Sequence, residues 1–243
     1  TSPTFAPSYA PGVLQVTLFA GQTTSGTTNG IGSNAKFYTP IGNDLSSDGS
    51  FALVADQTNH QIRKLIISTA QVSLLAGQTT SGITNGIGSN AMFNFPTGLC
   101  ISPDNSFVLV ADQTNHQIRQ IIITTQQVSL LAGSSSSTQG STNGVGSNAQ
   151  FNQPYGIDIS SDGSYCLITD KNNHQIRKII ISTQQVSFIA GQTTSGSTNG
   201  VGSNAQFYQP CVIILSSDQI FALVTDFANH QIRKIILSTL QVS

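Results

Sequence analysis

Glutamate and tryptophan are absent from these 243 residues, and methionine occurs once. Charged residues make up only 8% of the chain and the formal net charge is -1. That balance excludes the basic footprint a nucleic-acid-binding surface needs, and it leaves no polybasic patch for a lipid headgroup layer. No apolar run approaches the roughly 18 residues that argue for a membrane span, so no membrane insertion is expected. Cysteine is scarce and odd in number: Cys100, Cys166 and Cys211. They form neither a disulfide framework nor a C-x-x-C metal spacing, and they read as small buried apolar side chains. No Asn-x-Ser/Thr acceptor is present, which excludes N-glycosylation.

What the chain has in abundance is repetition. Asp56-Gln57-Thr58-Asn59-His60-Gln61-Ile62-Arg63-Lys64 recurs at Asp112 to Gln120, Asp170 to Lys178 and Asp226 to Lys234. A tandem array with this period must be read as stacked copies of one unit. The units run over about 22–77, 78–133, 134–191 and 192–243, with a spare stretch at 13–21. The few charges follow the same period. Aspartates stand at Asp48, Asp104, Asp162 and Asp218, and again at Asp56, Asp112, Asp170 and Asp226. Only Asp44, Asp158, Lys36 and Lys171 fall outside the pattern, so few groups are free for acid–base chemistry.

In chain order, residues 1–12 carry Pro3, Pro7 and Pro11 and read as an extended arm, since proline fixes φ and lacks a donor. Residues 13–21, VLQVTLFAG, have the β-branched enrichment of a strand and recur as QVSLLAG (71–77 and 127–133) and QVSFIAG (185–191). A long Gly/Ser/Thr/Asn loop follows each copy and ends at Phe37, Phe93, Phe151 or Phe207. A proline then opens a short strand, an S-x-D-x-x turn follows, and a second strand of the type FALVAD leads to D-x-x-N-H and a third strand. Asp-Gly between apolar runs is a strong hairpin signal. Each unit is thus four short strands, and no segment has a helical period. Four-stranded units in tandem predict an all-β fold, a β-propeller of four blades. Because blade four has no outer strand of its own to match VLQVTLFAG, residues 13–21 are expected to pair into it and close the ring.

The string L-A-G, N-G-x-G-x-x-A-x-F-x-x-P, S-x-D-G-S and L-V-x-D-x-x-N-H-Q-I-R-K resembles the NHL-repeat β-propellers over nearly the whole of 13–243. Gln61, Gln117, Gln175 and Gln231 depart from the third letter of the family name, and four units are counted where the family commonly has six. The near-identity of the units, the scarcity of free charges and the proline arm point to an interaction or structural propeller. Some six-bladed relatives are lyases or hydrolases with a metal at the axis, which keeps a metal-dependent enzyme as the alternative.

The motif residues have two readings. Asp56, Asn59, His60 and Arg63, with Asp112, Asn115, His116 and Arg119, Asp170, Asn173, His174 and Arg177, and Asp226, Asn229, His230 and Arg233, could set four histidine ligands around an axis. The favoured reading is a polar clamp in each blade. The aspartate accepts N–H bonds in an Asx-turn, the asparagine takes a positive φ, and the histidine and arginine bond turn carbonyls or the aspartate. Catalysis of the Ser/His/Asp kind needs one constellation with unlike roles, which fourfold repetition does not offer. No catalytic residue, no resident metal and no cofactor are therefore expected. Asp44 and Asp158 sit at equivalent first-strand positions and could share a channel cation or water, but the favoured reading is that each bonds to backbone within its own blade. The expected function is a non-catalytic structural or interaction module, partnered by protein or by copies of itself in a larger assembly or filament, with glycans as a further ligand class. Its low-charge, hydroxyl-rich composition suits the outside of the cell.

Overall fold

A computed structural model describes residues 15–243. The extended arm expected at residues 1–12, and residues 13 and 14 of the spare strand, lie outside the described residues. Four antiparallel sheets follow one another as the blades of a four-bladed β-propeller. Blade one comprises β1 (Gly30–Ile31), β2 (Pro40–Leu45), β3 (Phe51–Asp56), β4 (Gln61–Ile66) and β5 (Gln71–Gly77). Blade two comprises β6 (Gly86–Ile87), β7 (Pro96–Ile101), β8 (Phe107–Asp112), β9 (Gln117–Ile122) and β10 (Gln127–Ala132). Blade three comprises β11 (Gly144–Val145), β12 (Pro154–Ile159), β13 (Tyr165–Asp170), β14 (Gln175–Ile180) and β15 (Gln185–Gly191). Blade four comprises β16 (Gly200–Val201), β17 (Pro210–Leu215), β18 (Phe221–Asp226), β19 (Gln231–Ile236) and β20 (Gln241–Val242). The four strands expected per unit are present, and the N-G-x-G stretch of each long loop adds a two-residue fifth strand at the outer edge.

Alternation along each strand sends side chains to both neighbours. In β8, Val108 and Val110 pack on blade one with Leu53, Ala55 and Ile62, while Leu109 and Ala111 pack on blade three with Cys166 and Ile168. Both faces are buried, so the strand reads as a continuous apolar run. The core lies between blades: one cluster joins blades one and two, a second joins two and three, a third joins three and four. Among the described residues no cluster joins four to one.

At the inner strands the backbones nearly touch. A Cβ on Gly42, Gly98 or Gly156 would lie 2.1, 2.4 or 2.2 Å from the carbonyl oxygen of Thr97, Tyr155 or Cys211 in the next blade. Only glycine allows that approach. Blade four carries Val212 at the same position.

The expected closure is corrected. Residues 15–21 belong to no strand, and Val16 is fully exposed. Blade four instead has its own short outer strand: β19 pairs with β20 at Ile235–Val242 and Ile236–Gln241. The chain end takes the place first because it follows β19 through one tight turn, at a lower loop-closure cost than a segment some 200 residues away.

Candidate functional site

Each long loop and each D-x-x-N-H turn emerge at the same end of their blade, where the third strand begins. The turn is a single 3-10 turn, Gln57–Asn59 in blade one. Behind it the clamp is built as follows. Asp56 Oδ1 accepts the Tyr38 N–H at 2.7 Å, and its Oδ2 accepts Asn59 Nδ2 and Arg63 Nη1, both at 2.8 Å. Arg63 also donates to the carbonyls of Lys36 and Thr28 and to Asn29 Oδ1, and Asn59 donates to the Gly26 carbonyl. Five points of the 26–38 loop are thus tied to one buried ion pair, and the guanidinium sits 5.3 Å from the Phe37 ring centroid. The pairs Arg119–Asp112, Arg177–Asp170 and Arg233–Asp226 repeat this at 2.9–3.0 Å. Burial lifts the Asp112 and Asp170 carboxyls to about 6, against the lowering pull of Arg119 and Arg177. A buried pair of this kind specifies a geometry more than it adds stability.

Two details of the expected clamp change. Asn59, Asn115, Asn173 and Asn229 stay in the 3-10 turn, and the positive φ falls on the histidines: 56° at His60, 57° at His116, 58° at His174 and 57° at His230. Within the turn only the histidine backbone N–H bonds, to the Gln57 carbonyl in blade one, and the rings of His60, His116 and His174 reach outside it. His60 Nδ1 accepts the N–H of Phe95 at 3.1 Å, His116 that of Gln153 at 3.0 Å, and His174 that of Gln209 at 3.1 Å. Each joins its blade to the next. The four imidazoles are spread one per blade, and among the described residues no three His, Cys or carboxylate groups converge as a metal site.

The inner strands line a central cavity of about 420 Å³. Asp44 and Asp158 both face it, together with Cys100, Tyr155 and Ile214. Asp44 accepts the N–H groups of Leu45, at 2.9 Å, and of Ile101 in blade two, at 2.8 Å. Asp158 does the same with Ile159, at 2.9 Å, and with Leu215 in blade four, at 2.6 Å. The reach into the neighbouring blade was not legible in sequence. Burial raises both carboxyls above the usual range, and the charge of Asp44 adds to the rise at Asp158.

The loop face carries aromatics that composition did not advertise. Tyr38, Phe95, Tyr208 and Phe227 are 45, 37, 42 and 61% exposed. Lys171, which replaces Gln57 and Gln113, lies 4.7 Å from the Tyr155 ring and 5.8 Å from that of Phe227. These are positions where the copies differ, which was the available signal.

Four clamped blades of this pattern define an NHL-repeat β-propeller, and comparison agrees. The NHL repeat family model matches residues 93–121, the second copy of the motif. The chain is an NHL-repeat protein. NHL repeat-containing protein 2 of Bos taurus is 30% identical over 165 residues, which is 63% of this chain and 22% of that protein. The chain thus spans about a fifth of the length of the curated relatives it matches. Among solved structures, an auxiliary nutrient binding protein of Bacteroides thetaiotaomicron superposes with a TM-score of 0.66 at 17% identity, over 83% of this chain and 48% of that one. A second, from Bacteroides ovatus, gives 0.52 at 13% identity over 90% and 75%. At these identities the likeness concerns the fold.

Proposed function

We propose that this propeller is a non-catalytic binding module, acting outside the cell, that holds a protein partner on its loop face. The observation that carries the reading is the clamp. Four buried Asp–Arg pairs fix four long loops at one end of the blades, where the exposed aromatics Tyr38, Phe95, Tyr208 and Phe227 also stand. Rigid loops presenting aromatic side chains bind at low entropic cost. The structural neighbours described as nutrient binding proteins support a binding role. The same exposed rings beside Asn and Gln side chains favour a second reading, carbohydrate binding. A screen against arrayed secreted proteins and glycans separates the two. The ligand should be lost with Tyr208→Ser and Phe227→Ser combined. Turnover of any arrayed compound that Asp44→Asn abolishes would overturn the non-catalytic reading, and so would binding that ignores the loop-face pair.

A further inference from the structure

Two positions at the loop end of each blade change from copy to copy. The second residue of the inner strand is Ile41, Thr97, Tyr155 or Cys211, and the first residue of the D-x-x-N-H turn is Gln57, Gln113, Lys171 or Phe227. Residues that vary among otherwise similar copies are not what builds the repeat. The last two of each row meet at the joint between blades three and four. Lys171 Nζ lies 4.7 Å from the Tyr155 ring centroid and 5.8 Å from that of Phe227. Burial pushes the Cys211 thiol up, and the charge of Lys171 pulls against that rise, so the ammonium stands beside the sulfur as well. Between blades one and two the same four places hold Ile41, Thr97, Gln57 and Gln113, with no charge and no ring.

Lys171 is partly buried and its charge is unmatched. All four ion pairs among the described residues join an arginine to an aspartate. Asp170 and Asp226, which precede the turns of blades three and four, are taken up by Arg177 and Arg233 inside their clamps. Asp158 of the channel stands further along β12 than Tyr155, about 10 Å deeper at the rise of a strand. Aromatic rings fix an ammonium and exclude water on their sides of it, but they do not neutralise it. A cation shielded in this way attracts an anion more strongly than one in open water, because the effective dielectric is lower. Tyr155 adds a donor. Burial raises its phenol, with a further push from Cys211, so the hydroxyl keeps its proton. An ammonium beside a neutral O–H suits a carboxylate, which accepts from both.

A sugar acid would need a free ring face for stacking, and the Lys171 ammonium lies over the face of Tyr155. A carboxylate at the tip of a short side chain needs only the rim. We propose that the protein partner of the loop face sets an aspartate or glutamate side chain on Lys171, with the Tyr155 O–H as second donor and the Phe227 ring alongside. This rests on the reading of the loop face as a protein-binding surface and fixes the chemistry of one contact within it.

The probe is a phage-displayed library of random heptapeptides, selected on the immobilised chain. The selected peptides should share an acidic residue at one position. Replacing that residue by its amide in a synthetic peptide should weaken binding about tenfold. Lys171→Gln should weaken it by a similar factor, and the two losses should not add. Blades one and two carry glutamine at this position, so the variant keeps the fold, which circular dichroism checks. Tyr155→Thr, the residue of blade two, should remove part of the same affinity. Binding should weaken as salt rises from about 50 to about 500 mM. Peptides with no shared acid, or acidic peptides indifferent to Lys171→Gln, overturn the inference. If such peptides still lose binding with Tyr208→Ser and Phe227→Ser combined, the loop face remains a protein-binding surface and only the carboxylate contact falls. A library that yields no peptide sensitive to any of these changes overturns both. Sialyllactose held through Lys171, with no acidic peptide selected, would give the subsite to a sugar acid and overturn the protein assignment.

Discussion

His116 Nδ1 accepts the backbone N–H of Gln153 at 3.0 Å, across the boundary between blades two and three. The bond requires an unprotonated Nδ1. Burial holds the imidazolium of His60, His116 and His174 below the ordinary histidine range, with Asp226 offsetting part of this at His174. A folded-state value below the unfolded one, near 6.5, means the native state binds protons less readily. The stability it contributes is complete above that unfolded value and is lost as pH falls through the lower folded values. The histidine contribution to thermal stability should therefore fall from pH 7.5 to pH 5. The carboxyls of Asp112 and Asp170, lifted to about 6, push the other way, so the histidine part is read as the difference between the chain and a histidine variant. In His116→Asn, a residue that tolerates positive φ, stability at pH 7.5 should fall by about 1 kcal/mol, and the pH-dependent loss should shrink. An unchanged pH dependence would show that this histidine is not a joint.

The clamp makes a second prediction. Asp112→Ala leaves Arg119 buried, its Nη1 and Nη2 still on loop oxygens, with no counter-charge. Removing one member of a buried pair costs on the order of 3–5 kcal/mol. Chemical denaturation should show that loss, and limited proteolysis should cut first within residues 79–92. A cut elsewhere, or a loss below about 1 kcal/mol, would mean the loop is held by other contacts.

The inner strands make a third. In Gly98→Ala the new methyl lies 2.4 Å from the Tyr155 carbonyl oxygen, so blades two and three must separate. Overpacking of this kind costs about 1–3 kcal/mol. Hydrogen exchange should rise along β7 and β12 together and leave β17 unchanged. Exchange confined to β7 would argue that the strand yields locally instead.

The amino-acid sequence determined the repeat, the strand sequence within each blade, the turn positions and the polar clamp. These depend on contacts over a few tens of residues, and the period displayed each of them four times. The Asp56–Arg63 pair was visible as a spacing of seven residues before its geometry was known. What lies between blades was decided only by tertiary structure. That the His60 ring serves the next blade, 35 residues on, and that Asp44 and Asp158 reach backbone N–H groups 57 residues on were set by how the blades stack. That blade four takes its outer strand from Gln241–Val242 was set by which of two like segments pairs. The letters 15–17 and 241–243 are nearly the same, so pattern alone could not rank them. The short connection from β19 ranks them, because the segment joined by the smaller loop pairs at the lower entropic cost.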